Sequence, residues 1–303
     1  MMKRLFKISI IATLIFGLIL SVGSPAFAIA PSDIPIVVYG ETLTDEQKEE
    51  VRRLLEISDD IEVTEYTVTG EDIARYIDGD PNSRTFSSAK IIAEPEGKGI
   101  TIHIVTPDNI TKVTADMYRN ALLTAGVEDA TVEVASPTPV TGGSALSGIY
   151  KAYDAEGAEL DKDRMEVANE ELDVATELSE REDLDEDKVS ELIAEIKKEL
   201  ADKKPESKED IENIIDEILI KLEISLSDKD RELLLNLFDK MREIDIDFDK
   251  VKDQLEDIAS KIQDKVGDIN IEIDEGAWQK FLQFLKGIIE SILDIFQSNS
   301  SKG

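Results

Sequence analysis

The sequence predicts an α+β fold, in which an N-terminal α/β domain with a mixed sheet is followed by an acidic, all-helical C-terminal region. Between Ile34 and Val134, short apolar runs alternate with helical patterns, which is typical of layered α/β domains. From Gly157 onward, charged residues are dense and apolar residues recur every three or four positions, which indicates helices. The predicted divisions are a signal peptide over 1–28, an α/β head domain over 29–156 and a helical tail domain over 157–303.

The first segment has the features of a cleaved secretory signal. A start with three basic residues precedes an apolar run over 8–22, and small residues suited to signal-peptidase cleavage follow at Ala26 and Ala28. The apolar run is shorter than a membrane-spanning helix, and the absence of cysteine excludes a lipoprotein anchor. The sequence therefore predicts a secreted protein that is extracellular or associated with the cell wall after cleavage near Ala28. A retained membrane anchor is the alternative.

The charge of the chain excludes one class of function. Without the three basic residues of the signal, 31 basic residues face 67 acidic ones, a net charge of about −36. Such a field repels nucleic acid and anionic lipid at long range and attracts cations and basic partners. We therefore expect no nucleic-acid partner. Because an exported chain without cysteine has no disulfides, it must fold on its apolar core alone.

The elements of the predicted α/β domain follow in a regular order. IPIVVYG is a buried-type strand, and the next helix begins with a capping box of Thr44 and Gln47. IEVTEYTV alternates like a half-exposed strand, and TGEDIARYI is a short helix before the GDPNS turn. SSAKIIAEP and GITIHIVTP are strands joined by EGKG, and a helix over Thr111–Ala125 ends at Gly126 before the last strand, DATVEVASP. The short EGKG joint implies an antiparallel pair, and hence a mixed sheet.

Apolar stripes predict five or six helices in the second half. Ser207 and Asp210 stand in capping-box spacing at the start of one of them. The acidic faces of these helices are most simply solvated. Two stripes carry the prediction: Val189, Leu192, Ile193, Ile196 and Leu200, and then Ile211, Ile214, Ile215, Ile218 and Leu222.

A loop rich in Thr, Ser, Pro and Gly is the candidate ligand site. Thr141, Gly142, Gly143 and Ser144 precede a helix that carries Tyr150, and amides at a helix N-terminus can hold a carboxylate or a phosphate. The lysine of a Walker motif is absent. Packing, with Thr141 or Ser144 as the helix cap, is the favoured role, and the ligand site is the alternative.

Three strings in and around this loop resemble a known family. GKGITIHIVTPDNIT, MYRNALLTAGVEDATVEVASP and PVTGGSALSGIYKAY are similar to the shared core of exported Gram-positive proteins catalogued as domain of unknown function 1002. The likeness runs from YGETLTDEQ near Tyr39 into the helical C-terminal part. It implies an envelope or extracellular location and an α/β head with a helical tail. It brings no established activity, so no catalytic residue can be assigned.

Two other motifs do not support a metal site or a catalytic site. His103 is out of phase with the apolar residues of its strand and, without a second histidine or a cysteine, cannot build a typical zinc site; a hydrogen-bonding role is favoured. Ser87 and Lys90 have the spacing of penicillin-binding enzymes, which place the serine at a helix start. Here a strand follows the serine at once.

The sharpest metal signal is DIDFDKVKDQLE, residues 245–256. It places acidic residues at the ligand positions of an EF-hand loop, but Lys250 occupies the position that requires glycine. An apolar helical stripe also runs through the supposed loop. A helix capped by Asp247, with an acidic first turn, is therefore favoured. The sequence predicts no cofactor and no dedicated metal site, with weak calcium binding by acidic clusters as the alternative.

The C-terminal segment, 277–297, predicts an amphipathic helix whose apolar residues fall within one arc of about 180°. Trp278, Phe281, Phe284 and Leu285 lie on this arc. Intramolecular packing of this helix is favoured, and docking on a partner or peripheral membrane contact is the alternative.

These observations favour a non-enzymatic envelope protein that binds or scaffolds an unknown envelope component or protein. The alternative is a hydrolase of an envelope polymer that uses carboxylates. Asp108 and the turn with Asp78 and Asp80 are the first candidates, although no spacing shows that they converge.

Overall fold

The computed structural model describes residues 34–158, 160–181, 184–244 and 246–267, with side chains described up to residue 260. Five strands form one sheet in the order β2-β1-β3-β5-β4. The strands are β1 (Ile36–Gly40), β2 (Thr64–Val68), β3 (Ser88–Ala93), β4 (Ile100–Ile104) and β5 (Ala130–Ala135).

The sheet is mixed, as the sequence predicts, but the pairing at EGKG differs from the expectation. β1 is parallel to β2 and β4 is parallel to β5, whereas β3 is antiparallel to both β1 and β5. The strands that EGKG joins are therefore not hydrogen-bonded to each other, because β5 lies between them. The EGKG joint therefore spans the position of one strand. That position is occupied by β5, which comes later in the sequence than β3 and β4.

Four helices accompany the sheet. They are α1 (Asp45–Leu54), α2 (Gly70–Ile77), α3 (Ala115–Ala125) and α4 (Ser144–Ala155). The capping box of Thr44 and Gln47 is confirmed, as is the end of α3 at Gly126. The predicted start of α3 at Thr111 is wrong, because the helix is capped by Thr114.

The two faces of the sheet are covered differently. α4 contacts β1, β2 and β3, and α3 contacts β4; these contacts belong to the main apolar core. On the other face, Val51 and Leu55, at the end of α1, join Val37, Tyr39 and Ala135 in a smaller apolar cluster. Strand residues alternate between the two clusters, as the side chains of a pleated strand do.

Five further helices follow in the part of the chain up to residue 267. They are α5 (Lys162–Ser179), α6 (Glu186–Lys203), α7 (Lys208–Lys221), α8 (Asp228–Glu243) and α9 (Lys252–Gly267), with a short 3₁₀ turn at Asp249–Val251. The capping box of Ser207 and Asp210 at the start of α7 is confirmed. The predicted number of five or six includes the helix over 277–297, which lies outside the described residues, so this number stays a prediction. No helix in the described residues is long and apolar enough to cross a membrane.

The helices share one apolar core with the sheet. α5 packs on α3, and α6 packs on α5. The buried apolar residues of the described chain form a continuous cluster from the strands to Ala259, within one compact unit that reaches Ser260. The predicted boundary at 156/157 stays a prediction.

A fully buried ion pair lies where α3, α5 and α6 meet. The Lys197 ammonium is 2.6 Å from a Glu171 carboxylate oxygen, and the two side chains are 0 % and 1 % exposed. Lys197 also donates to the Asn120 carbonyl at 2.8 Å, and the Thr124 hydroxyl donates to Glu171 at 2.5 Å. Burial lowers the pKa of Lys197, and the Glu171 carboxylate opposes that shift. The pair therefore joins the helix that packs on β4 to two helices of the second half.

Candidate functional site

The predicted ligand loop lies at the sheet edge where β4 and β5 end. Val140 of this loop forms a parallel bridge with Ile110, in the loop after β4. The Val140 amide donates to the Asn109 carbonyl at 2.8 Å, and the Thr111 amide donates to the Val140 carbonyl at 2.9 Å. Backbone hydrogen bonds therefore join the two loops that follow the neighbouring parallel strands β4 and β5.

A buried tyrosine fixes the next residues of the loop. The Tyr118 hydroxyl donates to the Gly142 carbonyl at 2.6 Å. Gly142 has a φ of +112°, and a Cβ there would lie 2.7 Å from the Tyr118 hydroxyl oxygen. Because L side chains rarely adopt this φ and no space exists for a Cβ, only glycine fits the position.

The outer side of the loop is open. Thr141 is exposed, and a Cβ built on Gly143 would meet nothing within 4 Å. Gly143, with φ −54°, is the N-cap of α4, and no side chain caps this helix. The predicted cap at Thr141 or Ser144 is therefore wrong, while ligand binding by residues 141–144 stays a prediction.

The carboxylates of the hydrolase alternative are all exposed. Asp78 and Asp80 lie in the loop that precedes β3, and Asp108 follows β4. The Asn82 backbone amide and side-chain amide donate to Asp80 at 2.8 Å and 3.0 Å, and these bonds lower the pKa of Asp80. A carboxylate stabilised in its ionised form does not suit the role of general acid.

Ser87, Lys90 and His103 do not form a nucleophilic centre. Lys90 pairs with Glu133 at 2.7 Å and donates to the Leu55 carbonyl at 2.7 Å. Ser87 precedes β3 and is fully buried. His103 is exposed, with Glu133 beside it in the register of β4 and β5.

The EF-hand-like stretch forms a different local structure. The Asp249 amide donates to the Asp247 carboxylate at 3.0 Å, and Lys204 pairs with Asp249 at 3.0 Å. Phe248 directly precedes the 3₁₀ turn and has no side-chain cap bond, but the Asp247 carboxylate accepts from an amide within the turn, which is the contact expected of the predicted Asp247 cap. Asp245 and the predicted docking residues Trp278, Phe281, Phe284 and Leu285 lie outside the described residues. In the part of the chain that is described, no group of three or more His, Asp or Glu side chains is placed to hold a metal ion.

A cavity of about 380 Å³ lies between α2, α4 and α5. Its lining includes Arg75 and Tyr76 from α2, Tyr150 and Asp154 from α4, and Lys162 from α5. The sequence analysis missed this cavity because its residues come from three separate helices and share no local motif. The adjacent Tyr-Lys-Ala-Tyr-Asp stretch, 150–154, is the only local signal that we can identify in retrospect.

The comparisons with known proteins point to a family without an assigned role. A family model described as "Protein of unknown function (DUF1002)" matches residues 39–258. The "Uncharacterized protein YpuA" of Bacillus subtilis (strain 168) is 35 % identical over 289 residues, which cover 92 % of this chain and 96 % of that protein. No solved structure matches the chain.

Proposed function

We propose that this chain, which belongs to the DUF1002 family of proteins of unknown function, is an exported binding or scaffolding module of the cell envelope. Its ligand contact is the outer side of residues 141–144, and its partner is an envelope component. The molecule acts by binding, without chemical conversion of the partner.

The observation that carries this proposal is the contrast between the two sides of the loop. The inner side is held by the Tyr118 hydroxyl and by the Val140 backbone bonds, so little conformational entropy is lost when a ligand binds. The outer side, at Thr141 and Gly143, has open space in front of it. A fixed backbone with an open surface is suited to recognition.

The carboxylates favour binding over hydrolysis. A glycoside hydrolase needs one carboxyl with a raised pKa and a second, ionised carboxyl facing it across a cleft. Asp78 and Asp80 are exposed on one loop and Asp108 on another, and the pKa of Asp80 is lowered. The hydrolase alternative therefore has no specific observation in its favour.

We expect Gly143→Trp to weaken binding without loss of stability. Gly143 has a right-handed helical conformation that any residue adopts, so the indole projects into the open space and covers the loop. Co-sedimentation with purified Bacillus subtilis cell walls should show binding of the wild type and at least about a tenfold weaker affinity for the variant, a loss of about 1.4 kcal/mol. The melting temperatures of the two proteins should agree.

Ser58→Trp is the matched control, because it adds the same bulk at an exposed position in the turn after α1. This control should bind like the wild type. Equal binding by wild type and Gly143→Trp, or no binding of walls by the wild type, would refute the proposed contact.

Two parts of the proposal rest on the sequence. For export, N-terminal sequencing of the secreted protein should begin at or near Ile29, and a membrane-bound chain that retains Met1 would contradict this.

The docking role of the C-terminal segment is tested by truncation. A chain truncated after Gly276 lacks Trp278, Phe281, Phe284 and Leu285 and should lose part of its envelope association. Full association by the truncated chain would exclude that role.

A further inference from the structure

The cavity between α2, α4 and α5 has the size and the wall chemistry of a small-molecule site. Its volume of about 380 Å³ lies within the range of about 300–1,000 Å³ that is typical of ligand pockets. Ala74, Leu160, Met165 and the Tyr150 side chain supply apolar surface. The Tyr150 hydroxyl is buried and has no hydrogen-bond partner among the described residues. The apolar residues of the lining favour a ligand with an apolar body.

The mouth of the cavity carries a cation that the protein holds in place. The Arg75 guanidinium is 2.9 Å from Asp154 and stacks on the Tyr76 ring, 5.2 Å from its centroid. Asp154 also accepts a hydrogen bond from the Tyr76 hydroxyl at 2.8 Å. Since Asp154 is engaged by both groups, its role is to orient Arg75. A guanidinium has five N–H donors, and the Arg75 side chain is 65 % exposed, so donors remain for a ligand.

A second cation of the cavity lining, Lys162, comes from α5. The Lys162 ammonium is 2.9 Å from Glu166, its neighbour one helical turn later, and its side chain is 61 % exposed. The hydrogen bond to Glu166 is the largest of the effects that raise the pKa of Lys162; Asp78 and Asp163 contribute smaller attractions. Lys162 is therefore cationic at neutral pH. Arg75 and Lys162 are the two cations of the lining; each pairs with one carboxylate, Asp154 and Glu166 respectively, and each side chain remains more than 60 % exposed.

From this arrangement we infer that the cavity binds a small amphiphile that joins one anionic group, such as a carboxylate or sulfonate, to an apolar body. The anionic group contacts Arg75 and Lys162 at the mouth, and the apolar body fills the space beside Tyr150 and Met165. This site is separate from the proposed envelope contact at residues 141–144.

Anilinonaphthalene sulfonate is a direct probe, since it combines a sulfonate with an aromatic body and fluoresces in apolar surroundings. We expect saturable binding to the native wild type with one site. Arg75→Gln should weaken the affinity by about tenfold or more, because a hydrogen bond to a charged group contributes about 1.5–3 kcal/mol. Arg53→Gln removes the same charge from an exposed position on α1 and should change nothing.

A second variant tests the apolar part of the site. Ala74→Trp places an indole in the cavity and should abolish saturable binding, with retention of the native circular dichroism spectrum. Gly143→Trp should leave the titration unchanged, so failure of the envelope proposal and failure of this one are distinguishable. The inference is overturned if the wild type does not bind the probe, if Arg75→Gln binds as Arg53→Gln does, or if Ala74→Trp keeps the wild-type affinity.

Discussion

Glu171→Gln is expected to lower the free energy of unfolding by about 3–5 kcal/mol, the usual cost when one partner of a buried ion pair is removed. The Lys197 ammonium is completely buried and 2.6 Å from Glu171, so the substitution leaves an uncompensated charge in the core. The surrounding polar groups, Asn120 and Thr124, belong to the helix that packs on β4. The effect should therefore reach both the sheet and the helical half.

Glu170→Gln provides the control on the adjacent residue. Glu170 pairs with Lys240 at the same distance, 2.6 Å, but the side chains are 34 % and 52 % exposed. Exposed pairs contribute about 0–1 kcal/mol, so this variant should unfold close to the wild type in urea. Equal losses in the two variants would show that Lys197 is not a buried charge in the folded protein.

Alkaline pH is expected to unfold the protein cooperatively. All six tyrosines have a pKa above the ordinary value of 10.0, and burial is the largest cause for all except Tyr66, whose hydrogen bond to Glu156 comes first. A phenol whose folded pKa is raised contributes stability below pH 10, and that stability is lost as the pH rises through the folded pKa. The groups are Tyr39, with a pKa of about 12, and Tyr66, Tyr76, Tyr118, Tyr150 and Tyr153.

The size of this effect follows from the number of tyrosines. Five of the six are at most 3 % exposed, so their ionisation in the folded protein would place several charges in the core, and unfolding relieves that cost. Tyrosinate absorbance and circular dichroism should change together above pH 10. Titration of most tyrosines near pH 10 with a native circular dichroism spectrum would contradict the buried environment of these residues.

The local parts of the fold could be predicted because their signals lie within a few residues. The capping boxes that begin at Thr44 and Ser207 each depend on two side chains three positions apart. The same pattern at Thr69 and Asp72 caps α2 and was missed, although it was visible in the sequence. The mixed sheet could also be predicted, since it requires only one reversal of strand direction.

The long-range parts could not be predicted from one sequence. The place of β5 between β3 and β4 is decided by packing of the whole sheet, while the EGKG joint carries information only about the two strands it connects. The role of Gly142 depends on Tyr118, 24 residues earlier. The cavity depends on residues of α2, α4 and α5. In each case the determining contact joins segments with no shared local pattern.

Amide hydrogen exchange tests the central claim, that residues 141–144 contact an envelope component. The wild-type protein would be compared with and without solubilised Bacillus subtilis cell-wall fragments. We predict slower exchange in peptides that cover 138–147 and little change in α7 and α8, with no release of reducing ends from the fragments. Unchanged exchange over 138–147, or release of reducing ends by the protein, would contradict a binding function at this loop.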